Sequence, residues 1–326
     1  MTDRSGIICA GNWIVDVIHE IAQWPDESNL VRITAQTRGI GGGPANVLAA
    51  LARLKTGLPL WPIGAIGDDG YADFVRAECT SLGLPTQHLI PKPGAATAHT
   101  HVMSVPGQSR TFFYQGGAND LLSEADFPAG TFSQTKARVF YLGYLTLLGT
   151  LDQIDDNGAT QAAQILERAQ RAGLTTCVDL VSTERPDFEA IISASAPFID
   201  YLILNEVEAA RATGTPVPPT DATGMQDIAQ RLLAKGVCKA VIIHSATHLL
   251  WQGADGTGND LAVPQLPPVE IASHLGAGDA FCAGMLYALH QGWDAPLALS
   301  LAANVARESL RGMTANSAIP PLSELI

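Results

Sequence analysis

Residues 273–285 read SHLGAGDAFCAGM. Gly276 and Gly278 flank Ala277, Asp279 follows, and Phe281, Met285, Ala288 and Leu289 then recur at the spacing of one buried helical stripe. The spacing predicts a helix beginning near Asp279. A helix start offers unpaired N–H groups and a partial positive charge, and glycines let an anion approach them closely. A carboxylate there opposes a phosphate unless it accepts a proton from an incoming hydroxyl. A base beside an anion cradle suits phosphoryl transfer, where catalysis is positioning and charge stabilisation. The same residues also fit a plain turn with Asp279 as helix N-cap. The stretch is neither a GxxxxGK[ST] loop nor a GxGxxG fingerprint.

A second glycine cluster adds weight to the first reading. Residues 38–54, RGIGGGPANVLAALARL, set Gly41, Gly42 and Gly43 before a helix carrying Asn46 in its first turn. Backbone there can approach a polar ligand, and an Asn side chain both donates to and accepts from hydroxyls. Asp16 ends an apolar strand. Together Asp16, Gly42, Gly43 and Asn46 make a hydroxyl-binding surface, with Asp279 placed to deprotonate one hydroxyl. Each also has a structural reading, as a tight turn or a surface carboxylate.

Between these clusters the chain is read as an α/β protein. GIICAGNWIVDVI is one buried strand stopping near Asp16. Residues 29–38 alternate apolar and polar, as a strand with one wet face does, and residues 97–114 form a hairpin turning at Pro106-Gly107. After about residue 115 strands and helices alternate, which predicts a mostly parallel central sheet with helices on both faces. The early strands, near 17–39 and 97–115, stand outside that rhythm and predict a small β-sheet beside one large domain over 1–326.

The composition limits the function. With 326 residues, 47% of them hydrophobic, the chain can bury a substantial core. A formal charge of −13 argues against a nucleic-acid partner, which needs Lys and Arg against phosphates. No apolar run is long enough to cross a bilayer, and the N-terminus makes a poor signal peptide. The expected location is the cytoplasm. The five cysteines are scattered without a CxxC pair, which disfavours a disulfide framework or zinc site.

Nearly end to end, the chain resembles the ribokinase-like (PfkB) carbohydrate kinases. GGGPANVLAAL is similar to their first signature, GAIGDDGYADF to a glycine-aspartate turn, NEVEAARATG to an N-x-x-E element, and GAGDAFCAG to the core of the second signature. The resemblance implies ATP- and magnesium-dependent phosphorylation of a hydroxyl on a sugar or related polyol. It implies Asp279 as catalytic base, with Gly276, Ala277 and Gly278 as the anion hole. Asp16, Gly42, Gly43 and Asn46 match positions that hold the sugar. Asn205 and Glu208 match the element that organises magnesium and phosphate, the metal arriving with ATP and no direct protein ligand assigned. A strand end capping the next helix is the competing reading of that pair. Asn304 matches a position near the nucleotide. The small sheet becomes a lid, from which Arg110 and His99 or His101 could reach the substrate, and through which a homodimer could form.

The chain also departs from the pattern. Ser273-His274-Leu275 stands where the family tends to have D-T-x, so a charge of the monovalent-cation site is missing and potassium activation is not expected. His244, Ala246 and Leu249 replace the Thr and glycines of the nucleotide loop. These changes leave a nucleoside kinase, with Trp13 stacking a base, and a catalytically impaired sugar-binding or regulatory protein as alternatives.

Overall fold

The computed structural model describes residues 4–108, 110–128 and 130–326; Ser109, in the hairpin segment, lies outside them. Among the described residues thirteen strands form two sheets. In chain order they are β1 (Ile7–Gly11), β2 (Ile14–Ile21), β3 (Ile33–Gly41), β4 (Leu60–Ile66), β5 (Leu89–Pro91), β6 (His99–Ser104), β7 (Thr111–Gln115), β8 (Val139–Leu145), β9 (Thr175–Leu180), β10 (Tyr201–Asn205), β11 (Ala240–His244), β12 (His248–Gly253) and β13 (Gly258–Ala262). The helices are α1 (Gly43–Arg53), α2 (Gly70–Ser81), α3 (Thr131–Gln134), α4 (Gln161–Arg171), α5 (Phe188–Ser195), α6 (Glu206–Thr213), α7 (Ala222–Ala234), α8 (Ala277–Gln291) and α9 (Ala295–Ser309).

The large sheet runs β13-β12-β11-β10-β9-β8-β1-β4-β5. Its pairs are parallel from β5 to β11, and β12 and β13 add an antiparallel edge. Strand alternation explains the two-sided core. Ile7 and Cys9 of β1 enter one hydrophobic cluster with α1, α2, α8 and α9, while Ile8 and Ala10 enter another with α4, α5, α6 and α7. The crossover helices are locally encoded. In α4, Ala162, Ile165, Leu166 and Ala169 form the buried stripe, and Thr160 caps the helix by accepting the Ala163 N–H.

The small sheet has the order β3-β2-β6-β7. The apolar stretch read as one strand is two, because the chain breaks at Asn12 and Trp13 and passes from the large sheet to the small one. Gly11 takes φ 125°, the Asn12 amide donates to the Leu147 carbonyl, and β2 continues to Ile21 rather than stopping near Asp16. The alternation of residues 29–38 also misleads. The strand begins at Ile33, and Ile33–Thr37 are exposed on both faces at the edge of the sheet. Among the described residues no helix is long and apolar enough to cross a membrane.

Strand order places a crevice. The chain leaves β1 toward β4 on one side and returns to β8 on the other, and a reversal of this kind opens a ligand site at the carboxyl ends of the parallel strands. Helices α8 and α9 close one side of that region at short range. A Cβ on Gly284 of α8 would stand 2.7 Å from the Ala302 Cα of α9. Gly284→Ala is therefore expected to force the pair apart and destabilise the protein by about 1–3 kcal/mol, measured by urea unfolding.

Candidate active site

Asp279 is the third residue of α8 and does not cap it. The N-cap is Gly276, in the left-handed region at φ 75°, and no side chain caps the helix start. A Cβ at Gly276 would fall 2.2 Å from the Ala315 Cβ, so glycine is required by packing as well as by conformation. The Asp279 carboxylate turns instead toward α1 and β8. Its Oδ2 accepts the Asn46 amide at 2.8 Å and the Tyr144 hydroxyl at 3.2 Å. Oδ1 accepts nothing from the described residues. Burial, with Asp16 and Glu208 as neighbouring carboxylates, pushes Asp279 up to about 7 against the pull of its two donors.

Asp16 approaches from β2. Gly41 makes room for it, since a Cβ there would lie 2.2 Å from Asp16 Oδ2. Burial raises Asp16 to about 6, opposed by a hydrogen bond with Thr100 and the charge of Arg110. Gly43 lies under the Tyr144 ring, where a Cβ would be 2.7 Å from Cδ1. The glycine cluster thus admits two side chains of the site, not only a ligand.

A cavity of about 550 Å³ joins these groups at the carboxyl ends of β8 to β11. Asp16, Gly42, Asn46, Tyr144, Asp179, Asn205, Glu208, His244, Gly276, Ala277, Gly278 and Asp279 all line it. A profile of the pfkB family carbohydrate kinases matches residues 5–321. The chain belongs to that family. This carbohydrate kinase is 24% identical over 318 residues to a deoxyribokinase of Salmonella typhi, covering 98% of this chain and 96% of the relative. It is 26% identical to a 5-dehydro-2-deoxygluconokinase of Geobacillus thermodenitrificans, covering 89% and 83%. In fold it is similar to an Arabidopsis thaliana ribokinase solved with ribose and ATP, with a TM-score of 0.81, 20% identity and coverage of 99% and 97%. The kinase is thus an α/β, ribokinase-like phosphotransferase acting on a hydroxyl group.

Two residues of the kinase site escape sequence reasoning. Between Leu142 and Leu145 the pairing of β8 with β9 slips by one residue, and within the slip Tyr144 adopts φ 62°. Its backbone N–H then donates to Asp179 Oδ1 at 2.7 Å, and its hydroxyl reaches Asp279. Burial raises the Tyr144 phenol well above its ordinary value, so it remains a donor. Burial and the nearby Asp279 raise Asp179 likewise. Asp179 left a trace, the one carboxylate in the apolar strand TTCVDL; Tyr144 left none.

At the other end, Asn205 and Glu208 form the capping box of α6. Asn205 Oδ1 accepts the Glu208 N–H, and Glu208 Oε2 accepts the Asn205 N–H. Glu208 Oε1 takes the Ser182 hydroxyl. Both carboxylate oxygens are engaged, and the described residues hold no cluster of three His, Cys, Asp or Glu side chains able to bind a metal. The donor set fits an ion that comes with the nucleotide and keeps its waters, the habit of magnesium. His244 packs against Phe281 with ring centroids 4.9 Å apart, and burial lowers it to about 4, so it is neutral.

Other expected residues are not brought to the cavity. Gly43, Arg110 and Ala246 are absent from its lining, although the charge of Arg110 bears on Asp16 and its Nη1 is buried without a partner among the described residues, and Asn304 donates its amide to the Leu325 carbonyl. Strand parity turns His99 and His101 to the far face of β6, where His101 shares a 2.9 Å hydrogen bond with His19 and His99 meets Tyr71; Thr100 lines the cavity instead. Trp13 is fully buried and donates its indole N–H to the Ile63 carbonyl, so it cannot stack on a base.

The raised Asp279 has a stability consequence. The unfolded chain releases this proton near 3.8 and the folded protein near 7, so the folded state holds the extra proton between them. Its stability therefore falls as pH rises through that window. Asp279→Asn removes the penalty. Denaturant titration should find the variant more stable than wild type by about 1–3 kcal/mol at pH 8, the gain fading toward pH 4.

Proposed function

We propose that this kinase transfers the terminal phosphoryl group of ATP to a hydroxyl of a sugar or related polyol, with Asp279 as the general base. The observation that carries the reading is the carboxylate itself, held through Oδ2 by Asn46 and Tyr144 while Oδ1 is left unengaged on a ligand-sized cavity. Asp16 and Asn46 would accept and donate hydrogen bonds to substrate hydroxyls, and fix which one meets Asp279. That hydroxyl gives its proton to Asp279 as its oxygen bonds to phosphorus, and ADP leaves with the electron pair of the broken P–O bond. The N–H groups at Gly276, Ala277 and Gly278 would face the charge spread over the transferring group. Magnesium, carried in with ATP, supplies charge neutralisation at the phosphates; Asn205 and Glu208 would hold its waters.

Asp279→Asn should keep the fold and nucleotide binding while lowering kcat by about 10²- to 10⁴-fold. Retained turnover in a coupled ADP-release assay would remove Asp279 from this role. Because Asp279 must be ionised to act, kcat should rise with pH through about 7, following its raised value, and level off above. The monovalent-cation site lacks its usual carboxylate. Ser273 is buried and accepts the Leu275 N–H at 3.0 Å. Replacing sodium by potassium should therefore leave the rate within about twofold; a difference of that size is under 0.5 kcal/mol of barrier.

A further inference from the structure

We infer that Asp179 is a positioning residue that acts through Tyr144: its side chain locks the bulged end of β8, so that the Tyr144 hydroxyl lies on one oxygen of Asp279 and the other oxygen is aimed at the acceptor. Only the kinetic consequence rests on the reading of Asp279 as the base.

Strand pairing sets the need. Leu142 pairs with Val178 and Leu145 with Leu180, so Gly143 and Tyr144 both stand opposite Asp179. A bulge of this kind leaves its extra residue without a ladder partner, and a buried N–H without an acceptor is costly. Asp179 answers with its side chain. Its Oδ1 accepts the Tyr144 N–H at 2.7 Å, in place of the missing carbonyl. Tyr144 is thereby held at φ 62°, a conformation a bulky residue keeps only where its surroundings impose it. Asp179 is buried and also accepts the Cys282 thiol on Oδ2 at 3.8 Å. One side chain therefore ties β8 to β9, and both to the turn of α8 that follows Asp279.

The bulge is fitted to α1 as well. A Cβ on Gly143 would fall 2.7 Å from Pro44 Cδ, and one on Gly43 the same distance from the Tyr144 ring. The clamped ring sends its hydroxyl to Asp279 Oδ2, which also accepts the Asn46 amide. Turning the carboxylate would break both bonds, so Oδ1 keeps one direction.

Burial and the charge of Asp279 raise Asp179 well above the usual carboxylate range. It stands as a neutral acid, with an oxygen that accepts as an amide oxygen does. The titratable groups facing Asp279 are Asp16 from β2, Glu208 from α6, Asp179 from β9, Tyr141 and Tyr144 from β8 and Cys282 from its own helix. Burial keeps both phenols and the thiol neutral near pH 7, and His244 of β11 is neutral above about 4. Of all these, Tyr144 alone hydrogen-bonds to Asp279 among the described residues.

The test follows labelled aspartate carboxyls by carbon NMR in the full-length protein, the Asp279 resonance being assigned by its loss in Asp279→Asn. Tyr144→Phe keeps the ring and removes the hydroxyl, so it tests the positioning even where Asp179→Ala does not fold. In both variants the Asp279 midpoint should rise by about half a unit to one unit, since the charged form loses a donor. Asp179→Asn keeps an acceptor for the Tyr144 N–H and should reverse most of the rise seen in Asp179→Ala. An unmoved midpoint in Tyr144→Phe, a midpoint that falls in Asp179→Ala, or no rescue by Asp179→Asn overturns the inference. With ATP and the best acceptor among ribose, deoxyribose and fructose, Tyr144→Phe should lower kcat roughly tenfold at about pH 9. Its KM values should stay within about threefold of wild type, and the rise of kcat with pH should follow the shifted midpoint. A shifted profile with full kcat at that pH would mean that Tyr144 tunes Asp279 without aiming it, and overturns the inference too. A midpoint that moves while the kcat profile stays in place upholds the positioning and removes Asp279 as the base.

Discussion

The site depends on one buried carboxylate and the two donors that fix it. Asp279 comes from the late part of the chain, Asn46 from the early part and Tyr144 from the middle. Their hydrogen bonds draw α8, α1 and the bulged end of β8 to one point, so the glycine clusters on either side must be tight. The stabilisation is incomplete. Burial and two neighbouring carboxylates, Asp16 and Glu208, keep Asp279 near neutrality even with both donors in place. In the proposed role, a carboxylate held near 7 could both take a proton and return it near physiological pH, and holding it there comes at the expense of stability.

Much of the fold was legible because its signals are local. The apolar strands and amphipathic helices after residue 115 each carry their own periodicity, and their alternation specifies a parallel sheet. That Asp279, Gly276, Asp16 and Asn46 line one cavity was legible for another reason: Asp279, Gly276 and Asn46 sit in or beside glycine clusters and Asp16 interrupts an apolar run, where a polar side chain has few purposes. What failed was non-local. Tyr144 reaches Asp279 only because the pairing of β8 with β9 slips, and pairing register is not written in either strand alone. His99 or His101 was expected to reach the substrate from the lid, but which face of β6 meets the cavity is set by its pairing with β2, and Thr100 between them lines the cavity instead.

Asn205 and Glu208 show that competing readings need not exclude each other. They form a reciprocal helix cap and also line the cavity. A cap that ties up both carboxylate oxygens gives a fixed, buried acidic group. Such a group can orient an ion's hydration shell without entering it, and it leaves α6 anchored whether or not a nucleotide is bound.

The two-residue passage from β1 to β2 has a mechanical corollary. Asp16 rides on the small sheet and Asp279 on a helix rooted against the large one, and the chain passes from one sheet to the other at Asn12 and Trp13. Trp13 is wedged into the interior and tied to Ile63, and Asn12 is tied to Leu147. The joint is thereby pinned on its large-sheet side, and tilting is left to the strand beyond it. Asp16 lies three residues beyond that joint, so a rotation of the outer sheet about it would shift the far tips of β2 and β3 much more than this carboxylate.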